Sequence, residues 1–155
     1  MGNESRKRGP LVVGVMCILM VTIASGLTYF MHVSSDELVR NLDSSDPEKV
    51  GDALINLHDR KDPAGITKAT ELLKSDSAEV WPNAALYLGA MGKSQSIPYL
   101  IKALQTDDPQ YGREISVDLT TMTGMDFGGD FEGWKKWWMG KNPGMLFDFS
   151  GHLAK

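Results

Sequence analysis

Few residues of this 155-residue chain are types that do chemistry at spacings that chemistry requires. Asp126, Asp130 and Glu132 gather around Gly128-Gly129. A calcium loop supplies oxygens at alternating positions over about twelve residues. This stretch lacks them, so turn and capping duties are the expectation here. His58-Asp59 falls at the expected end of a helix, where a histidine suits the dipole, and no nucleophile accompanies it. His32 and His152 stand alone, too few for a zinc site. Cys17 is the only cysteine, so no disulfide forms within the chain. There is no Gly-rich phosphate loop, Ser/His/Asp set or cysteine pair. The expectation is therefore a chain with no catalytic or metal-binding residues, no cofactor and no small-molecule substrate.

Composition narrows the alternatives. Net charge is −4, and every acidic residue except Glu4 follows position 33. A mildly acidic body argues against nucleic acid, whose phosphates want a basic patch. Leu11 to Val33 contains no Asp, Glu, Lys or Arg. As a helix it would reach about 34 Å, enough for a hydrocarbon core of about 30 Å. Arg6, Lys7 and Arg8 precede it, with no cation immediately after. The positive-inside bias then predicts a single-pass membrane protein, N-terminus cytoplasmic and residues 34–155 extracytoplasmic, periplasmic or extracellular. Ala24-Ser25-Gly26 offers a rival reading as a cleavage site. The apolar run continues past it through Leu27-Thr28-Tyr29-Phe30-Met31, which favours an uncleaved signal anchor.

Behind this segment the chain repeats. Leu42, Leu73 and Leu104 fall 31 residues apart, as do Leu57, Leu88 and Leu119. Each Leu42-type stretch ends one helix and starts the next. Asp46 and Asp108 suit N-caps, with Pro47 and Pro109 at the first helical position, and Asp62-Pro63 repeats the device. Apolar residues share helical faces: Val50, Ala53, Leu54 and Leu57; Ile66, Ala69 and Leu73; Val80, Ala84, Leu88 and Met91; Ile97, Leu100, Ile101 and Leu104; Ile115, Leu119 and Met122. Gly92 is the expected C-cap of the central helix. The pattern predicts helices at 35–43, 47–60, 63–74, 78–91, 95–105 and 109–122. Paired in order, they form three antiparallel hairpins, a short α-solenoid.

Leu88-Gly89-Ala90-Met91-Gly92, followed by Ser96-Ile97-Pro98-Tyr99-Leu100-Ile101-Lys102-Ala103-Leu104 and Asp107-Asp108-Pro109, resembles the short HEAT-like repeat first associated with phycobilin lyases. The resemblance covers about residues 36 to 123. It implies a right-handed stack of helix pairs used for protein binding or scaffolding. Second helices of that family commonly start with Val-Arg. This chain has Val50-Gly51, Trp81-Pro82 and Gly112-Arg113, and only Arg113 keeps the basic residue.

Trp134, Trp137 and Trp138 crowd one short block behind Asp130, a suitable N-cap. This block resembles the terminal unit of some bacterial HEAT-like proteins. It is expected to cover the open apolar end of the last hairpin. In a rival reading Trp137 stays exposed and anchors a partner, or touches the lipid interface together with Lys135 and Lys136.

The expected whole is all-α. Residues 1–10 are a basic tail and 11–33 a transmembrane signal-anchor helix. Residues 34–139 form a solenoid of about three antiparallel helix pairs with a Trp-rich capping helix, and 140–155 form a tail. The expected function is a membrane-anchored adaptor or scaffold for a protein partner, without catalysis of its own. Asp52, Asn56, Asn83, Tyr87, Glu114, Asp118 and Trp137 are the expected partner contacts. A bilin-lyase-related enzyme or subunit and a structural membrane tether are the alternatives.

Overall fold

The computed structural model describes residues 33–150. The chain divides into two units, Met1–Ser34 and Ser35–Lys155, and all helices below belong to the second. Val33 apart, the membrane-length segment expected at 11–33 lies outside the described residues, as do the basic tail, Cys17, His32 and His152. Among the described residues, no helix is long and apolar enough to cross a membrane.

The second unit is built on seven α-helices among the described residues: α1 Ser35–Asn41, α2 Pro47–Asp59, α3 Ile66–Leu72, α4 Val80–Ala90, α5 Ile97–Ala103, α6 Pro109–Thr123 and α7 Phe131–Lys141. Acidic caps set the starts. Asp46 accepts from the Glu48 N–H, Asp62 from Ala64, Asp108 from Gln110 and Tyr111, and Asp130 from Gly133. Each satisfies donors that the first turn leaves free. Glycines set two ends. Gly92 (φ 65°) and Gly124 (φ 71°) take the left-handed conformation that closes α4 and α6, as expected for Gly92.

Three helix starts differ from expectation. The first helices of the second and third hairpins each open with a 3-10 turn, Pro63–Gly65 and Ser94–Ser96, before α3 and α5. These turns carry buried residues at matched positions. A Cβ on Gly65 would lie 2.6 Å from Leu57 Cδ1, and buried Ser96 donates to the Lys93 carbonyl. The tight turn is how the chain crosses close to the preceding helix. The central helix starts at Val80 rather than at 78 because Ser77 holds a turn ahead of it. The Ser77 carbonyl accepts from Val80 and Trp81, and its hydroxyl accepts from Glu79. Pro82 then falls in the first turn, where an N–H has no intrahelical partner to lose.

The helices pack in two layers. The second helices α2, α4 and α6 stand side by side, with α4 against both neighbours, and the first helices back them. The expected apolar faces meet in between. Leu54, Leu57, Ala84, Ala85, Leu88, Leu100, Ile101, Ile115 and Leu119 are all fully buried. α7 packs on α5, the place a fourth first helix would take. Trp134 and Trp138 are buried there, so the covering role expected of this block is what the fold shows. The tail adds to it. Phe149 is buried, its carbonyl accepts from Gln105 Nε2 at 2.7 Å, and its ring meets Trp138 and Phe131 edge-on. Phe147 stands edge-on to Tyr99, with ring centroids 4.8 Å apart. Phe149 therefore belongs to the core with Phe147 packed beside it, and the buried apolar residues described run from Leu38 to Phe149.

Candidate partner-binding face

The repeat places equivalent residues of α2, α4 and α6 in rows that run across the helices. Asp52, Asn83 and Glu114 are 31 residues apart and form one row; Ile55, Leu86 and Val117 form the next. On one helix, positions such as 48, 52, 55 and 59 share the face opposite the buried one. The second row is therefore an apolar stripe on the outer face of the second helices. Ile55 is 46% exposed and Val117 64%, while Leu86 at 8% forms the floor between them. Elsewhere on this face the exposed residues are polar, so two exposed β-branched residues at matched repeat positions are a built feature.

Two hollows that share His58 and Glu114 in their walls border the stripe. One of ≈ 190 Å³ is lined by Ile55, His58, Asp59, Asn83, Leu86, Tyr111 and Glu114. A wider one of ≈ 630 Å³ adds Lys61, Ala90, Arg113, Val117 and Asp118. His58 joins them: Nε2 stands 3.5 Å from Glu114 Oε1, and Nδ1 stands 3.2 Å from Asp59 Oδ1. The contact spans from α2 to α6, across the middle helix. That middle helix carries no charged residue between Val80 and Ala90.

Asp118 and Tyr111 turn from α6 toward α4. A Cβ on Gly89 would come within 2.8 Å of Asp118 Oδ2, so the missing side chain is what admits the carboxylate. Oδ2 and the Tyr111 hydroxyl are buried, and neither finds a hydrogen-bond partner among the described residues. Burial pushes the Asp118 carboxyl up to about 6, with His58 acting to lower it and Glu114 to raise it further. Burial likewise raises the Tyr111 phenol, and Glu114 adds to this. Among the described residues, no group of three or more His, Cys, Asp or Glu is placed to hold a metal ion. The face offers acceptors, one imidazole, the cations Lys61 and Arg113, and apolar surface, which are the elements of recognition.

Residues 35–118 match the family of HEAT repeats. The chain belongs to that family. No curated protein and no solved structure matches it. HEAT repeats commonly mediate protein–protein interaction and are typically non-catalytic scaffolds. The HEAT match stops within α6, so the tryptophan helix and the tail lie beyond it.

Of the expected contacts, Asp52, Asn56 and Glu114 are exposed on this HEAT face, and Asn83 and Asp118 are half-buried in it. Asn56 and Asn83 each donate to the carbonyl four residues back in their own helices, at 2.8 Å in both cases. Tyr87 is corrected: it is fully buried, and its hydroxyl donates to the Asp62 carbonyl. Its row, Asn56, Tyr87 and Asp118, turns toward the neighbouring helix, and the middle member is sealed. Trp137 is half-buried rather than free, edge-on to Trp134 with ring centroids 5.8 Å apart. Sequence reasoning missed Ile55, Leu86 and Val117. The signal was their 31-residue spacing, hidden because apolar residues were read only as core.

Proposed function

We propose that this HEAT-repeat chain is a membrane-anchored adaptor that binds a protein partner on the outer face of α2, α4 and α6, without catalysis of its own. The apolar stripe of Ile55, Leu86 and Val117 carries this reading: it crosses all three repeats at one register, with Ile55 and Val117 exposed on either side of the nearly buried Leu86. Partner interfaces are built from an apolar centre with a polar rim, and the rows around the stripe supply that rim. The anchor is the apolar run from Leu11 to Val33, and the charges of Arg6, Lys7 and Arg8 support a repeat domain outside the cytoplasm.

The test is capture from crosslinked, detergent-solubilised membranes with a tag after Lys155, comparing wild type with Ile55→Glu/Val117→Glu. Both positions are exposed, so the variant keeps its core. A stoichiometric partner held by wild type and lost by the variant is the expected result. The same partner held equally by both would move the binding face elsewhere.

A further inference from the structure

Past α7 the tail is held at two points and bare between them. The Asn142 carbonyl accepts from the Met145 N–H, and Gly144 (φ 89°) turns the chain there. Phe147 and Phe149 then dock: Phe147 stands edge-on to Tyr99, and Phe149 is buried beside Trp138. Side chains of an extended segment alternate in direction. With Phe147 and Phe149 turned inward, Leu146 is turned outward, and it is 99% exposed. Met145 beside it is 60% exposed. A lone exposed apolar residue is ordinary. Two in succession, on a backbone fixed at both sides, form an apolar knob.

Leu146 borders a hollow of ≈ 440 Å³. Leu73 after α3, Trp81 at the start of α4, Tyr99 on α5 and Phe147 of the tail supply its apolar walls. Lys102 Nζ lies 5.3 Å from the Trp81 ring, and its stem adds to the wall. The charged rim is Lys74, Lys102, Asp76 and Asp148, two cations and two carboxylates. To fill this hollow from its own chain, Leu146 would have to reverse direction and pull Phe147 off Tyr99. The hollow shares no residue with the two that border the stripe.

We infer that the tail tip and this hollow form a self-complementary contact with a second copy of the chain, Leu146 of each copy seated in the hollow of the other. Knob and hollow adjoin, so a two-fold axis passing between them makes both insertions at once. Charge favours a copy as the occupant. A patch of one sign would repel itself, whereas this rim carries both signs equally and brings a carboxylate for each lysine. The contact is small, at the weak end for protein interfaces. Two copies held in one membrane by the proposed anchor meet at a raised effective concentration, which offsets that weakness. This goes beyond the adaptor reading and uses a different surface.

The test uses the full-length chain in isolated membranes, expressed together in two differently tagged forms. One form carries a photo-crosslinking amino acid at position 146, which is exposed, so the core stays intact. The expected product has twice the chain's mass, carries both tags and maps to residues 73–81 or 99–102 of the second copy. With the probe moved to position 145, Leu146→Asp in both forms should cut the product about tenfold, as losing two buried leucines would.

A product joining position 146 to an unrelated protein would give the tail tip to a different partner and overturn the inference. So would a crosslink from 146 into the hollow of its own chain, which would make the tip a lid. No product, a two-tag product mapping outside the hollow, or a yield unchanged by Leu146→Asp would equally overturn it. The stripe is untouched by these changes, so capture through Ile55 and Val117 judges the adaptor reading separately.

Discussion

The Asp118 carboxylate lies where a side chain on Gly89 would be, with Oδ2 only 2.8 Å from the position of a Cβ there. The same Cβ would sit 2.8 Å from Leu100 Cδ1, a fully buried side chain. One glycine thus sets how closely α6 and α5 approach the middle helix. Gly89→Ala should destabilise the domain by about 1–3 kcal/mol through overpacking, despite a gain of about 1 kcal/mol in helix propensity. Urea unfolding of residues 34–155 measures the difference.

How much of this was legible depended on what a period can encode. The acidic caps at Asp46, Asp62, Asp108 and Asp130 could be read residue by residue because capping is local. The buried faces followed from helical spacing. The Gly89–Asp118 approach could not be read, because it depends on the distance between two helices 29 residues apart in the chain. Tyr87 was misplaced for a similar reason. Its row is polar in the flanking repeats, Asn56 and Asp118, and only the Asp62 carbonyl above it explains a buried hydroxyl. The docking of Phe147 and Phe149 was undecidable from their types alone; the aromatic wall of Tyr99, Phe131 and Trp138 exists only in the fold.

Tyr87→Phe removes the hydroxyl that donates to the Asp62 carbonyl. It should lower stability by about 1 kcal/mol, the usual net worth of one such bond. The stripe is untouched, so partner capture by this variant should equal that of wild type. Thermal melts and capture measured together separate the structural role from a contact role.

The pH dependence of stability should carry an Asp118 component. Burial holds its carboxyl at about 6, above the ordinary carboxylate value of about 3.9. A raised native pKa favours the protonated form in the fold. Its contribution is complete below about pH 4 and is lost as pH rises through about 6. Asp118→Asn mimics the protonated form. It should melt at a higher temperature than wild type at pH 7, with the margin shrinking toward pH 4. A margin independent of pH would contradict the assignment.

Trp134 and Trp137 should behave differently. Trp134 is fully buried, its Nε1 donates to the Gly128 carbonyl at 2.8 Å, and it meets Phe127 edge-on. Trp134→Ala should cost about 3–5 kcal/mol. Trp137 is half-buried, and its replacement by alanine should cost less than half as much. Ending the chain after Gly144 removes Phe147 and Phe149 and should expose Tyr99, Phe131 and Trp138. The shortened domain should melt lower and bind a hydrophobic dye more strongly.

The central claim is that the stripe of Ile55, Leu86 and Val117 is where the partner sits. The most direct measurement places a photo-crosslinking amino acid at Val117 of the full-length chain in intact cells, with the exposed Lys136 on α7 as the reference position. A discrete adduct of one size from position 117, absent from position 136, is the predicted result. Adducts from position 136 with none from position 117 would contradict it and place recognition on the tryptophan helix.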